Sequence, residues 1–191
     1  MKCDQVKSNH GDLFEDAFII TPHIFRDDRG FFFESWNKKT FEEIVGKSID
    51  FVQDNHSGSE KGVLRGLHYQ LPPNAQGKLI SCVVGDIFDV VVDMRRNSPT
   101  FKQWGGVHLN SSNRKKIWVP SGFAHGFLTI SDYAEIIYKV TNFWNKDSER
   151  SLCWNDSEIN INWPLQNEKP FLSSKDRNCL TCSQLDSSEI F

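Results

Sequence analysis

The chain has 191 residues, of which 38% are hydrophobic and 25% charged. This length and composition predict one domain with enough apolar mass for a core, and they exclude disorder of the whole chain. The 22 Lys and Arg residues against 25 Asp and Glu leave a formal net charge of -3, without a block of like charges. The charge balance therefore argues against general binding to nucleic acid or to an acidic membrane surface.

The N-terminal residues Met1–Lys7 lack the apolar stretch of a signal peptide, and no segment approaches the roughly 18 uninterrupted apolar residues of a membrane span. We therefore expect a soluble cytoplasmic protein. The five cysteines, at positions 3, 82, 153, 179 and 182, suit a reducing compartment, so we expect free thiols. The only suggestive spacing, Cys179-Leu-Thr-Cys182, is weak evidence for zinc or redox chemistry.

Short β-branched and aromatic runs, bounded by Gly, Pro, Asn, Asp and Ser, make up most of the chain. This pattern predicts an all-β sandwich or barrel. The predicted strands lie near Phe18–Thr21, Phe31–Trp36, Phe51–His56, Val63–Tyr69, Lys78–Val84, Ile87–Met94, Gly105–Leu109, Lys115–Val119, Gly126–Ile130 and Glu135–Phe143. Gly85-Asp86 between two of them indicates a hairpin.

One helix is predicted to interrupt the strands. It begins at Thr40, where Thr40 to Glu43 form a capping box, and ends before Gly46. We expect this helix to pack on the flank of the barrel. Residues 1–178 are predicted to form a single domain, and the Ser-containing residues 179–191 a loosely held C-terminal tail.

A closed or double-sheeted antiparallel domain of this size commonly encloses a ligand cavity, so polar residues on its strands are the first functional candidates. His68 and Arg65 share one predicted strand, and two polar side chains among core residues are costly. Strict alternation places His68 with Leu64 and Gln70 on one face and Arg65 on the other. A bulge at Gly66 would bring both into one cavity.

Pro120 to His125 form a PxGxxH string that matches the second metal-binding motif of cupins. The first cupin motif needs HxH and a following Glu, whereas this chain has His68-Tyr69-Gln70. A metal site would thus lack half its ligands. We therefore expect no metal, and we interpret His125 as a hydrogen-bonding or positioning group.

Tyr138 and Lys78 complete the set of candidates that local sequence identifies. Tyr138 is one of three tyrosines in a chain that otherwise prefers Phe, and a phenol can act as a general acid opposite a base. Its simpler interpretation is a half-buried strand aromatic. Lys78 begins a strand, where its ammonium could stabilise an oxyanion or simply lie in solvent.

Ten sequence blocks in order resemble the dTDP-4-dehydrorhamnose 3,5-epimerase family, over about residues 14 to 178. They are Arg26–Ser35, Phe51–Ser57, Val63–His68, Gln76–Leu79, Phe88–Val90, Ser98–Phe101, Pro120–Phe127, Tyr138–Asn142, Trp163–Pro164 and Leu172–Asp176. The resemblance implies a cupin-type jelly-roll β-barrel with a few short peripheral helices. It also implies cofactor-free inversion of C3 and C5 of dTDP-4-dehydro-6-deoxy-D-glucose, which yields the precursor of dTDP-L-rhamnose.

The resemblance also implies the roles of individual residues. His68 is the base, Asp176 orients it, Tyr138 is the acid on the opposite face, and Lys78 stabilises an enolate oxygen. The implied binding residues for the dTDP-sugar are Arg29, Glu34, Gln53, Asn55, Arg65, His125, Trp144, Glu149 and Lys175. Among these, the arginines suit the diphosphate and Trp144 the thymine ring.

Arg29 and Glu34 lie in or beside the Phe-rich segment Phe31 to Phe33, whose rings alternate onto both faces of a strand. One face then needs cover from outside its own barrel. In the resembled family such strands pair across a homodimer, so we expect a homodimer with composite active sites.

Other interpretations remain open at this stage. Within the same class, a nucleotide-sugar epimerase could invert only C3 or only C5. A metal-dependent cupin oxygenase would bind a stoichiometric transition metal. A carbohydrate-binding jelly roll would keep its ligand affinity after the loss of His68 and would catalyse no solvent exchange at the sugar.

Overall fold

The computed structural model describes residues 1–166 and 168–191, and most of these lie in antiparallel strands. The strands are β1 (Lys2–Lys7), β2 (Leu13–Thr21), β3 (Phe25–Asp27), β4 (Gly30–Phe32), β5 (Gln53–Glu60), β6 (Leu64–Gln70), β7 (Lys78–Val84), β8 (Asp86–Asp93), β9 (Trp104–Asn110), β10 (Lys116–Val119), β11 (Phe123–Thr129), β12 (Tyr133–Val140) and β13 (Glu149–Ser151). The helices are α1 (Lys38–Val45) and α2 (Ser174–Arg177), and short 3-10 turns occupy Cys182–Gln184 and Ser187–Glu189.

Two antiparallel sheets face each other. One has the strand order β1-β2-β10-β7-β12-β5 and the other β13-β6-β11-β8-β9, while β3 and β4 form a separate hairpin. The main core lies between the two sheets, where Phe14 and Phe123 meet edge to face with 5.3 Å between ring centroids. Each large apolar side chain buried there contributes about 1.5–3 kcal/mol relative to exposure. The predicted all-β architecture is therefore confirmed.

Helix α1 covers the outer face of the six-stranded sheet, as the sequence predicts. Phe41 and Val45 pack against Trp118 of β10, and Gly46 ends the helix in the left-handed conformation. The predicted start was wrong. The cap is Asn37, whose side chain accepts from the Thr40 N–H at 3.2 Å, because the first helical hydrogen bond already runs from the Phe41 N–H to the Asn37 carbonyl.

The predicted strand over Phe31 to Trp36 was too long. Strand β4 ends at Phe32, and the following residues lead into α1. Trp36 leaves the hairpin because its ring packs on Phe41 and Phe51, at 5.0 Å from each ring centroid. Strands β1, β3 and β13, which are polar or short, were not predicted. The hairpin predicted at Gly85-Asp86 was wrong, because β7 and β8 lie in different sheets and do not pair with each other.

The C-terminal segment also differs from expectation. Cys153 and Cys179 form a disulfide, so the prediction of free thiols was wrong for this pair. Bridge pairing of Leu152 with Leu180 brings the two cysteines together, a long-range contact that sequence spacing does not reveal. The tail is not loosely held. The Tyr69 hydroxyl donates to the Glu189 carbonyl at 2.8 Å, and the Arg96 backbone N–H donates to the Phe191 carbonyl at 2.8 Å.

Strand β6 carries a one-residue bulge where it meets β11. His68 pairs with His125, but Arg65 pairs with Phe127, so three steps on β6 match two on β11. The Gly66–Leu67 peptide bond is cis, and Gly66 has a φ of 121°. The bulge shifts the alternation of β6, so Leu64 and Leu67 pack outside the five-stranded sheet while Arg65 and His68 both face inward. The sequence left open whether a bulge at Gly66 brings Arg65 and His68 into one cavity, and the structure shows that it does.

Among the described residues, no helix is long and apolar enough to cross a membrane.

Replacing Gly66 by Ala is expected to lower the free energy of unfolding by about 2 kcal/mol more than replacing Gly30 by Ala. The two glycines share a left-handed φ, 121° and 126°, so both changes carry backbone strain of about 1–3 kcal/mol. A Cβ on Gly66 would also lie 2.6 Å from the Gly126 Cα, whereas one on Gly30 meets nothing within 4 Å. Urea unfolding of both variants measures the difference, and equal losses would contradict the close-contact explanation.

Candidate active site

A cavity of about 340 Å³ opens between the two sheets. It is lined by Ser57, Arg65, His68, Lys78, His125, Phe127, Ile136, Tyr138, Trp144, Glu149, Ser173, Lys175 and Asp176. The structure thus brings together the four predicted catalytic residues and five of the predicted binding residues, from β6, β7, β11, β12, β13, α2 and the segment between β12 and β13. The return of α2 to the sheet does not follow from local sequence pattern.

His68 and Asp176 form a close pair in this cavity. The His68 Nε2 lies 2.7 Å from the Asp176 Oδ1, although the contact departs from ideal hydrogen-bond direction. Asp176 is only 3% exposed, and its Oδ1 also accepts the Gly66 N–H at 3.2 Å. Gly66 therefore helps to position the Asp176 carboxylate, which in turn contacts the His68 imidazole.

The surroundings set the charge of both groups. Burial lowers the pKa of His68 and outweighs the opposing effect of Asp176, so the imidazole is neutral at neutral pH. Burial alone would raise the pKa of Asp176, but hydrogen bonds from His68, Ser173 and Gly66 lower it to about 2. A neutral imidazole beside a fixed carboxylate can accept a proton and is stabilised once it has done so.

Lys78 and Tyr138 reach the cavity from the six-stranded sheet. The Lys78 Nζ donates to the His68 carbonyl at 3.1 Å, and desolvation lowers the pKa of this ammonium to about 8. Burial raises the pKa of the Tyr138 phenol, and the nearby charge of Arg65 offsets only part of this increase. At neutral pH the cavity therefore holds a charged ammonium and a protonated phenol opposite the imidazole.

Further charges line the same cavity. The Lys175 Nζ lies 2.5 Å from the Glu149 Oε1, and the Arg65 guanidinium donates to the Ser59 hydroxyl at 3.0 Å and to the Gly58 carbonyl at 3.1 Å. The Arg65 contacts are to neutral groups, so its charge remains available to an anion. A guanidinium with two ammonium groups nearby suits a diphosphate.

His125 lies on β11, directly opposite His68 of β6, and its imidazole pairs with Asp89. Its Nε2 is 2.9 Å from the Asp89 Oδ2, and Asp89 is completely buried in β8. Burial raises the pKa of the Asp89 carboxyl, an effect that His125 opposes. The pair fixes the imidazole of His125 at the cavity wall.

The remaining predicted binding residues do not line the cavity. Gln53 and Asn55 lie on β5, joined by a 2.8 Å hydrogen bond, and the Gln53 Oε1 accepts the Trp144 N–H at 3.3 Å, which places them beside the mouth. Arg29 lies in the turn between β3 and β4, where it pairs with Asp27, and Glu34 accepts from the Asn37 side chain. Within one chain these last two residues are not part of the site.

Some lining residues were missed by sequence reasoning. Ser57, Phe127, Ile136 and Ser173 belong to predicted strands or matched blocks but were not singled out. Asp89 carries the clearest overlooked signal, because an acidic residue inside the apolar run Ile87 to Met94 needs a buried partner. Among residues 1–166 and 168–191, no three His, Cys, Asp or Glu side chains are grouped to hold a metal ion.

The two facing sheets define a cupin-like jelly roll with a cavity between them that is lined by titratable side chains. A family model described as dTDP-4-dehydrorhamnose 3,5-epimerase matches residues 13–184. The chain belongs to the dTDP-4-dehydrorhamnose 3,5-epimerase family.

Individual relatives agree with this assignment. The chain is 59% identical to the dTDP-4-dehydrorhamnose 3,5-epimerase of Shigella flexneri over 163 residues, which cover 85% of this chain and 89% of the relative. The crystal structure of dTDP-6-deoxy-D-glucose-3,5-epimerase from Legionella pneumophila Philadelphia 1, in complex with dTDP-4-keto-L-rhamnose, is 43% identical. It has a TM-score of 0.90, with 99% of this chain and 97% of that chain covered.

A 3'-monoepimerase is also similar in structure. The protein from Streptomyces bikiniensis, solved in complex with dTDP-quinovose, is 33% identical with a TM-score of 0.83. The alignment covers 89% of this chain and 85% of that chain. The same fold therefore occurs in proteins named for double and for single epimerisation.

We expect His68 to titrate below the ordinary histidine value of 6.5, and to titrate lower still after Asp176→Asn. Removal of the carboxylate leaves burial, Lys175 and Lys78, all of which disfavour the charged imidazole. NMR titration of the ring measures both values. The control Asp86→Asn removes the carboxylate 3.2 Å from exposed His108 and should leave His68 unchanged. A rise in the His68 pKa in Asp176→Asn would contradict the pairing.

Proposed function

We propose that this chain epimerises C3 and C5 of dTDP-4-dehydro-6-deoxy-D-glucose to give dTDP-4-dehydro-L-rhamnose. The observation that carries the proposal is the placement of His68 and Tyr138. His68 projects from β6 of one sheet and Tyr138 from β12 of the other, and both line the same cavity. A sugar bound between them has a base on one face and an acid on the other, the arrangement that inversion at carbon requires.

The proton steps follow from the charges of these groups. The 4-keto group acidifies the hydrogen on each flanking carbon. Neutral His68 takes that hydrogen as a proton, and the electron pair of the C–H bond moves into an enolate. Tyr138 then gives its phenolic proton to the opposite face of the same carbon, which inverts it. Before the second carbon reacts, His68 releases its proton to solvent and Tyr138 takes one up. With Nε2 facing Asp176, Nδ1 is the nitrogen left to accept the proton.

Lys78 is the proposed stabiliser of the enolate oxygen. Its ammonium lies against the His68 carbonyl and therefore beside the base. A pKa of about 8 leaves most of the lysine charged at neutral pH, and the low dielectric of the cavity strengthens its interaction with an oxyanion.

The nucleotide-sugar is proposed to bind through the charged and aromatic residues around the cavity. Arg65, Lys175 and His125 face the diphosphate and sugar, with Glu149 holding Lys175 in place. Trp144 is 56% exposed at the mouth, next to Gln53 and Asn55, where its ring can stack on thymine. The dTDP-sugar complex of the Legionella relative supports this class of ligand.

We also propose that the enzyme is cytoplasmic. Its proposed substrate is a nucleotide-sugar, whose charged diphosphate does not cross a lipid bilayer unaided.

The direct test is incubation with dTDP-4-dehydro-6-deoxy-D-glucose in deuterated water, with deuterium located by NMR. The wild-type protein should place deuterium at both C3 and C5 of an L-configured product. Deuterium at one carbon only would assign a monoepimerase, and none at either carbon would contradict epimerisation.

Tyr138→Phe should keep solvent exchange through His68 but reduce inverted product by at least about 100-fold, because it removes only the phenolic proton. His68→Ala should lose both exchange and product. Tyr133→Phe on the same strand is the matched control, since Tyr133 lies outside the cavity and is 41% exposed. Unchanged exchange together with unchanged product in Tyr138→Phe would place the acid elsewhere.

We further propose a homodimer with composite sites. The β3–β4 hairpin exposes Phe25, Phe31 and Phe32, at 57%, 50% and 72%, an apolar surface that a second copy can cover. Arg29 at its tip and Glu34 beyond it do not line their own cavity. A hairpin that crosses to the neighbouring barrel would bring both residues to a nucleotide-binding site.

Mixing inactive variants tests the composite site. Equal amounts of His68→Ala and Arg29→Ala are mixed, and their subunits are allowed to exchange at random. Half of the dimers are then mixed, and one of the two sites in each mixed dimer is intact. The mixture should therefore recover about one quarter of wild-type activity. The control mixture of His68→Ala with Tyr138→Phe has both changes in one cavity and should recover nothing. No recovery in the first mixture, despite formation of mixed dimers, would contradict composite sites.

A further inference from the structure

We infer that Ser173 is a positioning residue for the His68 base, through a chain of contacts Ser173–Asp176–His68. This inference rests on the proposed function and extends it to a residue outside the acid–base pair. Ser173 precedes α2 and lines the cavity beside Asp176.

The hydrogen bonds of Ser173 have an unambiguous direction. Its Oγ is 3.1 Å from the Asp176 backbone N–H, which can only donate, so the hydroxyl oxygen accepts there. The single hydroxyl proton remains free, and the Asp176 Oδ2 lies 2.6 Å away. This distance is typical of a hydroxyl that donates to a carboxylate, about 2.5–2.7 Å.

These two bonds bind one residue at both its backbone and its side chain. The N–H contact fixes the first turn of α2, and the Oδ2 contact fixes the rotation of the carboxyl group. With Oδ2 occupied by Ser173, the other oxygen, Oδ1, faces the Gly66 N–H and the His68 Nε2. The serine therefore holds the carboxylate in the rotation that leaves one oxygen facing the imidazole.

The orientation matters because the imidazole can carry its proton on either nitrogen when neutral. A carboxylate held against Nε2 keeps the proton there and leaves Nδ1 as the acceptor. If Asp176 rotates, both tautomers are populated, and the one with Nδ1 protonated cannot accept a proton from the sugar. Loss of Ser173 is therefore expected to lower kcat more than it raises KM.

The experiment compares four variants in two measurements. Ser173→Ala removes the hydroxyl, and Ser173→Gly removes it with a residue that still tolerates the helix cap position. Ser173→Thr retains a hydroxyl and should restore function. Ser174→Ala changes the exposed neighbouring serine of the same helix and is the matched control.

Steady-state kinetics and ¹⁵N NMR of the His68 ring supply the measurements. Ser173→Ala and Ser173→Gly should each lower kcat by about 10- to 100-fold, the range for a lost hydrogen bond to a charged group, with KM changed less than twofold. The ring should pass from one Nε2-protonated tautomer to a mixture, while Ser173→Thr and Ser174→Ala keep one tautomer.

The possible outcomes are distinguishable. A single unchanged tautomer in folded Ser173→Ala, with kcat within twofold of wild type, overturns the positioning role and leaves the proposed function intact. A wild-type protein without epimerase activity overturns the proposed function, and the tautomer measurement still decides whether Ser173 orients the ring. Thermal unfolding of each variant identifies any loss of kcat that comes from misfolding, and Ser173→Gly then decides the question.

Discussion

The contact of two backbones at Gly66 and Gly126 determines which side chains of β6 can reach the cavity. A Cβ on Gly126 would lie 2.7 Å from the Arg65 carbonyl, and one on Gly66 would lie 2.6 Å from the Gly126 Cα. Because neither glycine has a side chain at this point, the two backbones can lie in close contact, and β6 can accommodate the extra residue of the bulge. The bulge directs Arg65 and His68 to the same side of the sheet and turns the Gly66 N–H toward Asp176.

The cavity that results carries more charge than a protein interior normally tolerates, and pairing makes this possible. Asp176 faces His68 and Ser173, Glu149 faces Lys175, and Asp89 faces His125. Each carboxylate thereby offsets part of its desolvation cost. Arg65 and Lys78 instead contact neutral oxygens, so their charges remain to be matched by groups on a ligand. The balance of paired and unmatched charge favours an anionic substrate whose reaction also develops negative charge.

Most of the fold was predictable because its strands carry local signals. Lys78–Val84 was predicted at its observed bounds, and the buried runs of β8 and β11 were found to within a few residues. The wrong predictions concern residues whose structure depends on contacts with residues far away in the sequence. Trp36 was assigned to a strand but packs under α1, and Cys153 pairs with a cysteine brought near by the Leu152–Leu180 bridge.

The site was predictable in part for the same reason. His68, Arg65 and Tyr138 are conspicuous as polar groups on apolar strands, whereas the roles of Asp176 and Lys175 came only from family resemblance, since nothing local ties α2 to β6. Ser173 was missed because a serine before a short helix is the ordinary pattern of a cap. Its second bond, to the carboxylate, depends on side-chain geometry that sequence does not specify.

The position of α2 in the chain has a consequence for how the protein is made. Strand β13 ends at Ser151, and residues 152–173 separate it from α2. During synthesis every strand of both sheets leaves the ribosome before Asp176 does, so the barrel can close around His68 while its carboxylate partner is still missing. The growing chain thus acquires its shape before its reactivity. A chain truncated before Ser173 would contain all the strand segments of the full-length protein. It would also contain the base His68, but it would lack the two residues, Ser173 and Asp176, that orient it.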